Sequence, residues 1–224
     1  TIFRQSDPVY AKILNEIRVG KLFKSSFNKL QECIGKKFDD IIIPTILLPR
    51  RRDVDKINER ELAKLETDTK IYELKVEGAP NKNSNLNAKD IQKLTELRYL
   101  TSSVMVDQKL ILKIGAQVMC VANIDMEGPH PIVNGSQGIV VDFTNDLPLV
   151  QFRDGQKRII GKHTWNSETI EGVNVQQIPL IHAWAITIHK AQGVTLEIAQ
   201  IDAGCSIFEC GQTYVALSRV KSLE

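Results

Sequence analysis

Several polar residues with hydrogen-bonding side chains follow an apolar run that starts at Ala183. A hydroxyl, an imidazole and an ammonium group can all donate to phosphate oxygens, and a glycine lets a backbone pass close to a ligand. The pattern predicts a buried strand that leads into a functional loop. A single histidine in this position also fits a hydrogen-bonded packing residue, so the residue types alone leave its role open. The residues are Thr187, His189, Lys190, Gln192 and Gly193.

Three consecutive arginines, Arg50 to Arg52, form the strongest local cluster of positive charge. Such a cluster fits either phosphate binding or a solvated helix face. The net charge of the chain is only +2, which does not by itself indicate a polyanionic partner. The arginines therefore need support from neighbouring motifs.

The composition is that of a globular protein, with 42% hydrophobic and 25% charged residues in 224. That length can bury a core and hold one large or two small domains.

The longest apolar runs are far shorter than the roughly 20 residues that cross a bilayer, so we expect no membrane partner. The start lacks a signal peptide and an initiator Met, and we expect the chain to be part of a longer intracellular protein. Four cysteines without CxxC spacing favour free thiols in a reducing compartment and no metal site.

The first segment alternates helices with a strand. Asp7 followed by Pro8 predicts a helix over about 8–19, and a second helix is expected over 21–38 with Phe23, Phe27 and Leu30 on its inner side. A β-branched run, 41–48, predicts a buried strand. Asp53 can then cap a helix whose inner positions are Val54, Ile57, Leu62 and Leu65. A strand followed by a helix indicates an α/β layer.

Between about Thr67 and Gln177 the chain becomes a series of short strand-like runs separated by turn signals. Asp154-Gly155 between two apolar runs is a strong hairpin signal. The strand lengths and spacings favour a small barrel inserted into the α/β layer, with a helix over about 87–99. The sequence therefore predicts two domains, the first of them discontinuous.

Six blocks in order carry a resemblance to a known family: FRQSDPVYAKILNEIRVG, LLPRRRDVDKINERELAKL, LKIGAQVMCVANID, IVNGSQGIVVDF, AWAITIHKAQGVTL and FECGQTYVALSRVKSL. The chain resembles the C-terminal half of Pif-type, RecD-like superfamily-one 5′-to-3′ DNA helicases. The resemblance implies an α/β fold in which a RecA-like parallel-sheet domain, of the type found in P-loop NTPases, carries an inserted small SH3-like β-barrel. The RecA-like domain would be the second motor domain, residues 1–68 and 178–224, and the barrel would be residues 69–177.

The resemblance also implies ATP and Mg²⁺ as cofactors. In such motors the nucleotide lies between two RecA-like domains, and the first domain supplies the phosphate loop and the carboxylates for magnesium. This sequence contains no GxxxxGK[ST] motif, so we expect it to need a first RecA-like domain as partner and to be inactive alone. Arg4 and Arg219 match the family arginines that point at the γ-phosphate, and Gln192 and Gly193 are the expected nucleotide-side residues.

The loop block also implies a role in binding single-stranded or fork DNA. Thr187, His189 and Lys190 match the residues that contact the DNA backbone. Arg50 and Arg51 stand where family members often have a Thr-Asn pair, and we expect them to grip phosphate. Two further departures are Gln137, in place of a usual arginine, and His182, in place of a basic residue; both would weaken or relocate contacts between the barrel and DNA.

The leading hypothesis is therefore the C-terminal motor half of an ATP-dependent DNA helicase. A free-standing nucleic-acid-binding or partner-docking module is the alternative from another class, and a third reading treats the barrel as a structural spacer. Motors of this type serve DNA replication, repair and recombination, and the sequence does not distinguish nuclear, mitochondrial, cytoplasmic or viral settings.

Overall fold

A computed structural model describes residues 5, 7–37, 40–80, 87–129, 131–204 and 206–223. Within them the chain forms helices and strands in an alternating first part and a strand-rich middle part. The helices are α1 Pro8–Arg18, α2 Lys24–Gln31, α3 Arg51–Ala63, α4 Ala88–Ser103 and α5 Gln212–Leu217. The strands are β1 Thr45–Leu48, β2 Thr69–Glu73, β3 Lys75–Glu77, β4 Lys109–Lys113, β5 Gln117–Cys120, β6 Gln137–Thr144, β7 Leu147–Phe152, β8 Lys157–Ile159, β9 His163–Asn166, β10 Asn174–Gln177, β11 Leu180–His182, β12 Ala185–Thr187 and β13 Ala199–Ile201.

A three-stranded parallel sheet, in the order β12, β1, β13, forms the centre of the α/β part. Leu48 pairs with Thr187 on one side of β1, and Leu47 pairs with Ile201 on the other. Parallel pairing requires crossover connections, and α3 provides part of one by packing on β1 and β12. The sheet is buried around Leu47 and Ile186, as is usual for parallel strands.

The helix predicted from Asp7 and Pro8 is confirmed. The Asp7 carboxylate accepts from the backbone N–H groups of Val9 and Tyr10, and Pro8 occupies the first turn. Tyr10, Ile13 and Leu14 are buried, and the Tyr10 hydroxyl donates to the carbonyl of Leu217 at 2.5 Å. This bond fixes α1 against α5.

Two neighbouring predictions were only partly right. The second helix is short, Lys24–Gln31, and Phe23 and Phe27 are 63% and 48% exposed, so the expected inner face is wrong. Ser26 is buried instead, because the Glu16 carboxylate accepts from the backbone of Phe23 and so holds the start of the helix close to α1. The strand predicted over 41–48 begins only at Thr45, after Pro44, which has no N–H to donate.

The helix after β1 begins earlier than predicted. Arg50 is the N-cap residue, and Asp53 lies within the first turn. Its predicted inner positions are correct: Val54 is buried, and the other three pack on the core of the strand-rich part. A helix that starts at Arg51 places the arginine cluster at the end of β1.

The strand-rich middle part is built from three antiparallel sheets. Five strands pair in the order β11, β5, β6, β7, β8, and the remaining strands pair as β3, β10, β9 and as β2, β4. The Asp154-Gly155 hairpin is confirmed between β7 and β8, with Gly155 at a φ of 86°. A second tight turn joins β6 to β7, where Asn145 and Asp146 both have positive φ, as a type I′ turn requires. The expected helix is α4, whose N-cap Asn87 forms a capping box with Asp90.

The five-stranded sheet and the parallel sheet are joined by a very short stretch of chain. Leu180–His182 pairs with β5 in the five-stranded sheet, and Ala185–Thr187 pairs with β1 in the parallel sheet. Only Ala183 and Trp184 separate the two strands. The predicted division into residues 1–68 with 178–224 and residues 69–177 stays a prediction; by strand pairing, β11 lies in the sheet of the middle part.

A buried polar cluster joins the same two sheets. The carbonyl of Ala183 accepts from the Thr45 hydroxyl at 2.6 Å and from the Gln117 amide at 2.8 Å. Gln137 donates to the Thr45 hydroxyl at 2.6 Å. Gln137, one of the two departures noted in the sequence, is thus an internal residue that links the middle part to β1.

Candidate nucleotide and nucleic-acid interface

The loop after β12 has a shape set by its own backbone. The Thr187 hydroxyl accepts from the N–H of Lys190 at 3.1 Å, and the Thr187 carbonyl accepts from the N–H of Ala191 at 3.0 Å. Gly193 has a φ of 86°, a region that side chains rarely adopt. The bonds wind residues 187–194 into a tight turn at the end of the strand. The buried strand followed by a loop that the sequence predicted is therefore present.

The side chains of this turn differ in accessibility. His189, Gln192 and Gly193 are exposed, whereas Thr187 is buried and its hydroxyl serves the turn. The ammonium of Lys190 is half-buried and donates to the carbonyl of Met105 at 3.1 Å. The turn thus presents an imidazole and an amide at the surface and ties its lysine to the segment after α4.

Arg50 and Arg51 lie at the same edge of the parallel sheet as this turn. Leu48 and Thr187 are register partners, and the N–H of Ile188 donates to the Leu48 carbonyl at 2.9 Å. The chain therefore leaves both strands side by side, at the carboxyl edge where ligands bind in open α/β sheets. Arg50 and Arg51 are exposed, and Arg51 forms a loose ion pair with Asp55 at 3.5 Å. The structure brings the two predicted DNA-contacting groups together.

Arg219, just after α5, contacts the turn through its guanidinium. It is 8% exposed, and its guanidinium donates to the carbonyl of Val215 at 2.8 Å and to the Ser218 hydroxyl at 2.6 Å. A longer bond of 3.5 Å reaches the carbonyl of Ala191. The sequence suggested a side chain that extends out of the chain; in this structure it is folded against its own chain and links α5 to the turn.

Arg4, the other predicted arginine, lies outside the described residues. Its neighbour Gln5 donates to the carbonyl of Ser218 at 3.2 Å. The described chain that follows Arg4 therefore begins beside α5, one residue from Arg219.

A polar pocket that sequence reasoning missed lies beside the turn. It has a volume of about 480 Å³ and is bounded by the end of α4, by β9, by the loop around Asn134 and by the turn itself. The only sequence signal was a polar strand, HTWN, that contains a tryptophan. Its lining includes Ser103, Met105, Asn134, Thr164, Trp165 and Gln192.

The surroundings of His182 favour its neutral form. Burial lowers the pKa of the imidazole below its usual value, and its Nε2 lies 2.8 Å from the carbonyl of Ile111. A carbonyl can only accept, so Nε2 carries the proton. The ring also stacks on Trp184, with centroids 5.6 Å apart. His182 is therefore a packing group, and Trp184, at 6% exposure, is a core residue.

We find no group of three or more His, Cys, Asp or Glu side chains that could hold a metal ion among the residues that the structure describes. In the same part of the chain, no helix combines the length and apolar character needed to span a membrane.

Comparison with known proteins finds similarity to Pif1-type DNA helicases along the whole chain. A family model described as the 2B domain of DNA helicase Pif1 matches residues 97–143. The ATP-dependent DNA helicase PIF1 of Danio rerio is 35% identical over 230 residues, covering 99% of this chain and 33% of the relative. The human protein is 34% identical over 229 residues, covering 100% and 33%. The chain thus spans about a third of the length of these curated relatives.

Solved structures show the same relationship. Unliganded Pif1 from Bacteroides sp. matches with a TM-score of 0.75 at 28% identity, covering all of this chain and 49% of that one. A Bacteroides Pif1 complex with ADP-AlF3 and single-stranded DNA matches with a TM-score of 0.58 at 27% identity, with the same coverage. A structure concerning unwinding at forked double-stranded DNA by two Pif1 helicases matches with 0.59 at 30% identity, covering all of this chain and 47% of that one. The resemblance and the fold class predicted from the sequence are confirmed.

Proposed function

We propose, on the premise that this chain resembles the C-terminal half of Pif1-type DNA helicases along its whole length, that it forms that half of an ATP-dependent 5′-to-3′ motor. The observation that supports this most strongly is the register of Leu48 with Thr187, which places Arg51 and the 187–194 turn at one sheet edge. An exposed imidazole and two exposed guanidinium groups at that edge suit a single-stranded phosphate backbone.

ATP would be held mainly by a first RecA-like domain, as the partner of this chain. Gly193, exposed at the carboxyl edge, would face it, together with Arg4 and Arg219, whereas Gln192, the other expected nucleotide-side residue, lines the polar pocket beside the turn. Phosphoryl transfer spreads negative charge over the γ-phosphate oxygens, and a planar guanidinium can stabilise that charge. In the present conformation Arg219 is held by Ala191 and Ser218, so reaching a nucleotide requires exchanging those bonds.

Magnesium would enter with the nucleotide and be bound by carboxylates of the other domain. We also place the protein in an intracellular, reducing compartment, because its four cysteines have no CxxC spacing and favour free thiols. Single-stranded and fork DNA are the proposed substrates, in keeping with the ligands of the similar solved structures.

Strand separation by the full-length protein tests this proposal directly. We expect ATP-dependent unwinding of a duplex that carries a 5′ single-stranded tail, and little unwinding of the same duplex with a 3′ tail. Binding of single-stranded DNA without DNA-stimulated ATP hydrolysis would overturn the motor assignment. That outcome would favour the free-standing binding module instead.

A further inference from the structure

The polar pocket beside the turn has the chemistry of a nucleobase site. Its lining combines one aromatic ring, Trp165, with side-chain amides and hydroxyls that can hydrogen-bond the edge of a base. None of the lining side chains in the described chain is charged. A phosphate would need a cation here, whereas a base needs a flat surface and neutral polar groups. The volume of about 480 Å³ lies in the range of roughly 300–1,000 Å³ that small-ligand pockets occupy.

The pocket is continuous with the proposed path of the DNA backbone. Gln192 of the turn lines it directly, and Lys190 donates to the carbonyl of Met105, another lining residue. A phosphate bound near His189 and Lys190 would therefore place the adjoining base beside the pocket mouth. Because α4, β9 and the turn all line the pocket, a base that entered would lie between the two parts of the fold.

Two features of the lining fit a nucleobase as the occupant: an unpaired acceptor atom and an aromatic ring. The Oδ1 atom of Asn134 is buried and accepts no hydrogen bond from the described residues, although buried polar atoms are nearly always paired. A rotation of that side chain would offer the atom to a ligand donor. The ring of Trp165 is partly exposed and is held at an angle of 74° by His163, with centroids 4.7 Å apart. The ring therefore has this edge contact in place before any ligand arrives.

From these observations we propose that the pocket bounded by Ser103, Asn134, Trp165 and Gln192 binds one base of the single strand. This inference rests on the proposed function, because it assumes that a strand follows the 187–194 turn. It adds that the chain contacts a base as well as phosphates at one defined nucleotide. The contact is sequence-tolerant, since stacking and amide hydrogen bonds suit every base to some degree.

Scanning a single abasic site along the strand tests the proposal. The full-length protein would be titrated onto a fork whose duplex end fixes the register of its single-stranded arm, with binding followed by fluorescence anisotropy. We expect one position at which loss of the base weakens binding by roughly fivefold or more, the size of one stacking contact. Equal affinities at every position would overturn the proposal.

A matched pair of substitutions assigns that position to the pocket. Ser103→Trp fills the pocket from the exposed end of α4, and Ser102→Trp places the same bulk on the neighbouring exposed residue that does not line it. The abasic penalty should disappear in S103W and persist in S102W. If S103W does not fold, Asn166→Trp fills the pocket from the exposed end of β9. A penalty that survives in both filled variants would also overturn the proposal.

The outcomes separate this inference from the proposed function. If no single strand binds in any variant, the proposed function fails. If salt-sensitive binding persists but no abasic position matters, the pocket is only a polar groove and the proposed function stands.

Discussion

The guanidinium of Arg219 and the backbone carbonyl of Ala191 lie 3.5 Å apart, across the boundary between α5 and the turn that carries His189 and Lys190. The same guanidinium bonds to Val215 and Ser218. A single buried cation therefore joins the last helix to the loop at the carboxyl edge. Any ligand that withdraws this side chain also removes a bond from the loop.

Arg219→Ala is expected to reduce DNA-stimulated ATP hydrolysis by the full-length protein on the order of a thousandfold or more, the loss typical of a missing arginine finger. Arg219→Lys keeps the charge but not the planar fork, so we expect it to recover little of the activity. Steady-state turnover would be measured with thermal denaturation as a check on folding. Normal turnover in a folded R219A protein would exclude the catalytic role.

Lys190→Gln should weaken binding to single-stranded DNA and make it less sensitive to salt. One lost phosphate contact lowers the slope of log K against log salt by about 0.7. Lys64→Gln is the control, because Lys64 ends α3 on the exposed side and pairs with Glu61. Anisotropy titrations at several salt concentrations would decide the matter, and identical slopes for both variants would place Lys190 away from the backbone path.

Arg51→Gln is expected to lower DNA affinity, whereas Arg60→Gln is expected to have almost no effect. Both arginines are exposed on α3 and each lies near a carboxylate, but only Arg51 lies at the sheet edge that holds the turn. The two positions are about 13 Å apart along the helix axis. Equal affinity losses would mean that overall charge, rather than position, determines binding.

Gly135→Ala should destabilise the fold by about 1–3 kcal/mol more than Gly155→Ala, because the backbone strain is common to both positions and only Gly135 adds overpacking. Both glycines have positive φ, 102° and 86°. A Cβ at Gly155 meets nothing within 4 Å, whereas one at Gly135 collides with Val194 and approaches the Thr195 carbonyl at 3.0 Å. Urea unfolding of the two variants provides the comparison, and equal losses would refute a tight contact there.

His182 is expected to make the free energy of unfolding fall as the pH becomes more acidic. Burial lowers the pKa of the folded imidazole, so the unfolded chain takes up a proton first as the pH falls. The stability that neutral His182 contributes is complete above the pKa of about 6.5 that histidine has in the unfolded chain. It is lost as the pH drops below that value. His182→Gln should flatten the fall in unfolding free energy between about pH 7.5 and 5.5. Burial lowers the pKa of His163 as well, so a slope of the same sign should remain.

Local signals predicted local structure well. The cap formed by Asp7 and the Asp154-Gly155 turn were predicted correctly because their hydrogen bonds and dihedral angles involve neighbouring residues. The Asn145-Asp146 turn was missed although its signal was of the same kind. The inner face predicted for α2 was wrong because burial there depends on Glu16 of another helix.

The arrangement of the candidate site was predictable only in part. The loop residues were identified from their motif, but their neighbours depend on strand register and on long-range packing. Gln117, for example, bonds to residues 66 and 74 positions away in the chain, which no local pattern encodes. Arg219 likewise bonds to a loop 28 positions away, in addition to its shorter bonds to Val215 and Ser218. Side-chain direction is therefore what the motifs left undetermined.

The two residues between β11 and β12 set a limit on how this protein can evolve. Because successive side chains in a strand point to opposite faces, adding or deleting one residue at Ala183 or Trp184 would put β12 out of register with β1 and turn Thr187 to the other face of the sheet. It would also misplace the carbonyl that Thr45 and Gln117 both need. We therefore expect natural variants to keep the length of this link constant.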